Sequence, residues 1–181
     1  SAKIAIVAGN AATSDINFGD TDDEDIGLIQ YVHTDNSLRF TTNTSERLRI
    51  TSSGQLMSGT TTEGHADADD LTLQASSGYT GITLRSATDQ GGVIYFSDAT
   101  SGAGEYDGQI VYSQNSQSMS FATAQSTKML LDNSGRLLIG TTTEGEATAD
   151  NLTIADAGHC GITLRSGDDD VGTVFFSDGT S

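Results

Sequence analysis

Apolar residues along this chain come in short i, i+2 pairs set apart by Thr, Ser and Gln. Ile82/Leu84, Ile94/Phe96, Ile110/Tyr112, Met119/Phe121, Met129/Leu131, Leu137/Ile139 and Leu152/Ile154 are the examples. A spacing of two places both members on one face of a half-buried strand. The β-branched Thr residues between them favour extended backbone. Between the pairs lie SQNSQ (Ser113–Gln117), DNSG (Asp132–Gly135) and SSG (Ser52–Gly54). Asn, Asp and Gly tolerate positive φ, so these clusters predict tight hairpins. No window sustains i, i+3, i+4, i+7 apolar spacing, so helix is expected to be minor. The pattern predicts an all-β chain of about seven short strands per repeating unit.

The unit repeats at about eighty residues. Gly54–Ser101 and Gly135–Ser181 share 28 identities over 47 aligned positions, with one gap after Leu73. GTTTEG recurs at an offset of 81, and GITLRS and FSD at 80. Gly27–Ser53 aligns with Gly108–Ser134 at 81 with only 8 of 27 identities, yet the apolar positions persist, as in Tyr31/Tyr112 and Phe40/Phe121. Farther upstream Ile4, Ile6, Ile16, Phe18 and Asp20 match Ile82, Leu84, Ile94, Phe96 and Asp98 at 78. Residues 1–53 therefore read as a partial repeat, 54–134 as a full one and 135–181 as another partial one. Such a window implies a piece of a longer periodic array.

Composition changes the picture of what these strands pack against. Hydrophobic residues make up 35% of 181, below the roughly 45–50% of an ordinary domain, although that benchmark also counts Gly. Two or three apolar side chains per strand do little against an ordering cost of about 1–2 kcal/mol per residue. The inward faces are expected to meet across units or across chains. We expect an elongated, repetitive fibre of short antiparallel strands and hairpins, a homotrimeric β-shaft with an acidic exterior. Stacking within one chain is the alternative. Absence of Pro leaves ladder hydrogen bonds uninterrupted.

The net charge of −17 argues against nucleic acid or an anionic membrane as partner. No apolar run approaches the roughly 18 residues that cross a bilayer. One cysteine, Cys160, allows neither an intrachain disulfide nor a multi-cysteine metal site.

The blocks GQLMSGTTTEG (Gly54–Gly64) and GRLLIGTTTEG (Gly135–Gly145) follow the cation-containing pairs Arg47-Leu48 and Lys128-Met129. They resemble the G-x-(V/L)-x-I-G-T-T repeats of bacteriophage tail fibres and related virion appendages, especially those of marine phages. Ser58 departs from the pattern, standing where Ile usually precedes the Gly. In that family the repeats usually precede an intramolecular chaperone domain, which these residues do not include. The resemblance implies a trimeric, β-rich shaft in the virion, partnered by identical chains and other tail proteins. A host receptor would be engaged by a region outside these residues. A bacterial extracellular adhesin or filament is the rival reading, and a fibre-borne polysaccharide depolymerase a more distant one.

Candidate sites are few. The run Asp20–Asp25 raises a calcium hypothesis through Asp20, Asp22, Asp23 and Asp25, since hard cations want several close oxygens. The equivalent segment after Asp98 has lost most of those carboxylates, which favours solvated surface. His33, His65 and His159 form no repeated constellation, and Cys160 stands where the other copy has Thr80. Arg85 and Arg165, kept amid so few cations, are expected to form structural ion pairs with Asp98 and Asp178. No cofactor and no catalytic residue is expected.

Overall fold

The apolar pairs pair with one another as hairpin ladders. The structure, a computed structural model, describes residues 1–177. Its internal contacts divide the chain into two units, Ser1–Ile82 and Thr83–Ser181. In the first unit β1 (Thr13–Phe18), β2 (Gly27–Val32), β3 (Ser37–Thr42), β4 (Ser45–Ile50), β5 (Leu56–Ser58) and β6 (Leu71–Leu73) form one sheet in chain order. In the second unit β7 (Gly91–Phe96), β8 (Gly108–Ser113), β9 (Ser118–Thr123), β10 (Ser126–Leu131), β11 (Leu137–Ile139) and β12 (Leu152–Ile154) repeat it. Helix among the described residues is confined to a single 3-10 turn at Ala103–Tyr106. The chain is all-β, as the period-two pattern predicts.

Two details differ from the sequence expectation. Each sheet has six strands rather than about seven, because Ile82 and Leu84 join no ladder. Leu84 instead lies against the sheet, its Cβ beside Gly92 of β7. The last pair of each sheet, β5 with β6 and β11 with β12, is parallel rather than antiparallel. A parallel neighbour cannot follow from a hairpin, so a crossover returns the chain to the same end. The other four pairings in each sheet are antiparallel.

The shifts in repeat offset fall in loops. The β1–β2 loop, 19–26, is replaced between β7 and β8 by the longer 97–107, which holds the 3-10 turn. That insertion turns the offset of 78 into 81, and every later strand of the second unit keeps 81. The repeat edges at Gly54 and Gly135 fall inside the β4–β5 and β10–β11 turns, so each sheet runs across one of them.

Register follows from a shared irregularity. Phe40 pairs with Leu48 and Thr41 with Glu46, leaving Arg47 as the extra residue of a bulge. Phe121 pairs with Met129 and Ala122 with Thr127, leaving Lys128 in the same role. The cation before each G-x-L-x-x-G-T-T block is thus a bulge residue. Its carbonyl accepts the N–H of Gly59 or Gly140, at 3.0 and 2.9 Å. One inserted residue restores the alternation that keeps Leu48 and Met129 beside the other apolar side chains.

Candidate interaction surface

Pairing gathers the apolar i, i+2 pairs of each sheet on one face. Ile16, Ile29, Phe40 and Leu48 lie side by side across β1–β4, and Tyr31, Leu38, Ile50, Leu56 and Leu71 form the next row. In the second unit Ile94, Ile110, Phe121, Met129, Ile139 and Ile154 make one row, and Tyr112, Met119, Leu131, Leu137 and Leu152 the next. Phe18 stands opposite Gly27 and Phe96 opposite Gly108, each ring taking the space its neighbour leaves empty. No charged side chain occupies these rows in either sheet.

That face is largely open. Ile16 is 46% exposed, Phe18 56%, Ile94 49% and Phe96 59%. Of the strand residues among the exposed large apolar side chains, all but Tyr95 lie on it. The buried residues Val32, Ser37, Met57, Ala122 and Leu138 all project from the opposite face. The chain exposes 13863 Å² in all. Two independent domains of half its mass would expose only about 10,000 Å². This chain leaves its more hydrophobic surface uncovered.

The crossovers cover the opposite face, and the GTTTEG motif builds them. Gly59 and Gly140 both sit at φ 73°, and a Cβ on either would stand 2.1 Å from the carbonyl oxygen of Gln74 or Ala155. No other residue type fits there. Thr60 Oγ1 accepts the N–H of Thr62 and donates to its carbonyl at 3.0 and 3.2 Å, and Thr141 repeats this with Thr143 at the same distances. Gly64 N–H donates to Thr72 Oγ1 of β6, and Gly145 N–H to Thr153 Oγ1 of β12. Thr61 and Glu63 are thereby brought to the edge of the depression over Met57.

Residues 55 and 136 tie each crossover down by different chemistry. Gln55 Nε2 donates to Asp69 at 2.6 Å, while its Oε1 accepts from Thr51 and Ser53. Arg136 pairs with Asp132 at 2.6 Å, Asp150 at 3.0 Å and Glu144 at 3.7 Å. The Arg136 backbone N–H and then its guanidinium hold the Asp132 carboxyl below the usual carboxylate range. In the first unit the opposite face also carries Arg49 in a two-bond fork to Glu46, and Arg39 bonded to Asp35 and Ser37. The Ser37 hydroxyl chiefly, with Arg39, holds Asp35 below its ordinary range.

The residues singled out from sequence sit elsewhere. Arg85 is exposed and forms no ion pair with Asp98 among the described residues, whose arginine pairs involve Arg39, Arg49 and Arg136 instead. Asp98 opens the β7–β8 loop, where its N–H donates to Gly104 O. Arg165 is exposed, and its expected partner Asp178 lies outside the described residues. Asp20 Oδ1 accepts the N–H groups of Asp22 and Asp23 at 2.8 and 2.9 Å, so the acidic run closes the β1–β2 turn. Asp25 is raised above its ordinary pKa chiefly by its hydrogen bond to Asp23. No group of three acidic, histidine or cysteine side chains converges as a metal site among the described residues. His33 Nε2 lies 3.0 Å from Ser14 Oγ, and Cys160 Sγ donates to Ile154 O.

Fold and surface together define a class: an all-β repeat whose units each carry one uncharged, uncovered apolar sheet face. No protein-family model matches the chain, and no curated protein matches it either.

Proposed function

We propose that the chain is a structural segment of a bacteriophage tail-fibre shaft, a homotrimer that holds a receptor-binding end away from the virion. The observation that carries this reading is the apolar, uncharged face present in the same register in both units. Leaving such a face in water forgoes about 25 cal/mol for each Å² of apolar surface. Identical chains offer a matching surface at every repeat. No charged side chain lies in the apolar rows, and the strand cations nearest them, Arg47 and Lys128, are bulge residues, so packing apolar row on apolar row buries no charge. The net charge of −17 then keeps assembled shafts apart. The tail-fibre assignment rests on the G-x-L-x-x-G-T-T blocks, and the work proposed is mechanical rather than catalytic.

Sedimentation of the folded chain tests the assembly, with a mass of three chains expected. A single-chain mass, at concentrations where circular dichroism shows intact sheet, overturns it. Phe40→Asp with Phe121→Asp is expected to dissociate the trimer. Antibody labelling of virions tests location: decoration of the tail appendages is expected, and labelling of host filaments alone favours the adhesin.

A further inference from the structure

We propose that the two apolar faces are one interface written twice, so that a second copy seats either in register or shifted by one repeat. This rests on the reading that copies meet through these faces. Phe18, Tyr31 and Phe40 occupy the same ladder positions as Phe96, Tyr112 and Phe121, and the smaller apolar residues between them match in class. The faces differ at Ser58 against Ile139 and Ser14 against Gly92, small uncharged changes that block neither seating, and Arg47 reaches only the edge of the first face, through Thr42. The charged residues that do differ, such as Arg39 and Arg49 against Ser120 and Leu130, project from the opposite face.

Area decides which seating wins. Each sheet has thirty strand residues. At about 4.8 Å between strands and about 3.3 Å per residue, one face spans about 480 Å². A stable association buries about 800 Å² per partner, so one face alone falls short and two together suffice. In-register copies engage both faces at once, the second at an effective concentration near about 1 mM. Shifted copies engage one face and leave the other free for a further chain. Closed oligomers therefore dominate in dilute solution, and open-ended growth begins as total chain approaches about 1 mM.

Thr42 and Thr123 are equivalent exposed residues at the same edge of the two apolar faces. Chains carrying Thr42→Cys are mixed with chains carrying Thr123→Cys, both in a Cys160→Ser background, and oxidised from micromolar to millimolar concentration. A mixed disulfide whose yield rises with concentration is expected. The wild-type chain is sedimented over the same range, and its mean mass is expected to climb beyond one fixed oligomer. Because that measurement needs no substitution, it decides the matter alone if the cysteine variants fail to fold. A mass that stays at one fixed oligomer, or a mixed bond of constant yield, overturns the inference and leaves the assembly reading standing. A single-chain mass throughout overturns both.

Discussion

The two units share a backbone plan and one face, yet their opposite faces have little in common. Across the first sheet the middle row of that face reads Asp15, Gln30, Arg39, Arg49 and Met57. Across the second it reads Val93, Val111, Ser120, Leu130 and Leu138. One row is ionic and hydrogen-bonded, the other aliphatic, and both support the same ladder. The apolar face drifts far less: its rows keep their aromatics and gain no charge, the clearest change being Ser58 against Ile139. A surface that meets only solvent and its own crossover loop can change chemistry residue by residue. On the proposed reading the other face packs against a second copy and cannot, because a single charge there would be buried unpaired.

The comparison is broken most severely at its shared buried point. Met57 and Leu138 are each only 1% exposed, beneath equivalent crossovers. Met57→Ala and Leu138→Ala are each expected to cost about 2–5 kcal/mol in denaturant unfolding. A much smaller loss for Met57 would show that the ionic surroundings of the first unit, not burial, hold its crossover down.

A smaller effect is expected in the two-residue β3–β4 and β9–β10 hairpin turns. Asn43-Thr44 and Ala124-Gln125 all have positive φ, which the first unit meets with a tolerant Asn and the second with no tolerant residue. Ala124→Asn with Gln125→Gly is expected to raise stability by about 1 kcal/mol, read as a higher melting temperature, and Asn43→Ala to lower it by a similar amount.

Smaller still is the ionic tie at Arg136, which the first unit replaces by Gln55. Arg136→Gln is expected to lower the melting temperature at neutral pH and low salt, and less so at high salt. Asp132 has its pKa depressed below 3.8 by folding. Its contribution is therefore present above the unfolded value and lost as pH falls through the folded one. The gap between wild type and Arg136→Gln should close in acid; a gap that stays constant with pH would remove the ion pair as its cause.

The least effect is expected where one unit is given the other's residue. Asp15 Oδ2 takes the Thr13 hydroxyl, while its Oδ1 is buried without a partner. Asp15→Val copies Val93 and relieves that carboxylate, so stability should stay within about 0.5 kcal/mol of wild type or rise slightly. A loss above about 1 kcal/mol would mean that the two rows are not interchangeable.

Much of this was legible along the chain. Six of the seven apolar pairs are strands, and SQNSQ, DNSG and SSG all lie at turns between strands. Ile82/Leu84 misled because an extended segment packed against a sheet has the same spacing as a strand within one. The arginine expectation turned on retention in both copies, which selected Arg85 and Arg165. Among the described residues the arginine pairs use Arg39, Arg49 and Arg136, whose counterparts Ser120, Leu130 and Gln55 are uncharged. For Arg85 retention is a poor guide, because an ion pair on a face free to vary need not be repeated; the expected partner of Arg165, Asp178, lies outside the described residues. The bulge cations Arg47 and Lys128 were visible as a recurring pair, but their role depends on a ladder partner that no local pattern names.

By itself, the sequence determined strand type, strand spacing and which apolar pairs share a face, because side chains alternate along extended backbone. Only the tertiary structure decided which face the chain covers for itself. That choice depends on where the crossover returns, which a left-handed glycine and the distant carbonyl of Gln74 or Ala155 set together. A period of two says that two faces differ; contacts between residues far apart in sequence say which of them is left open.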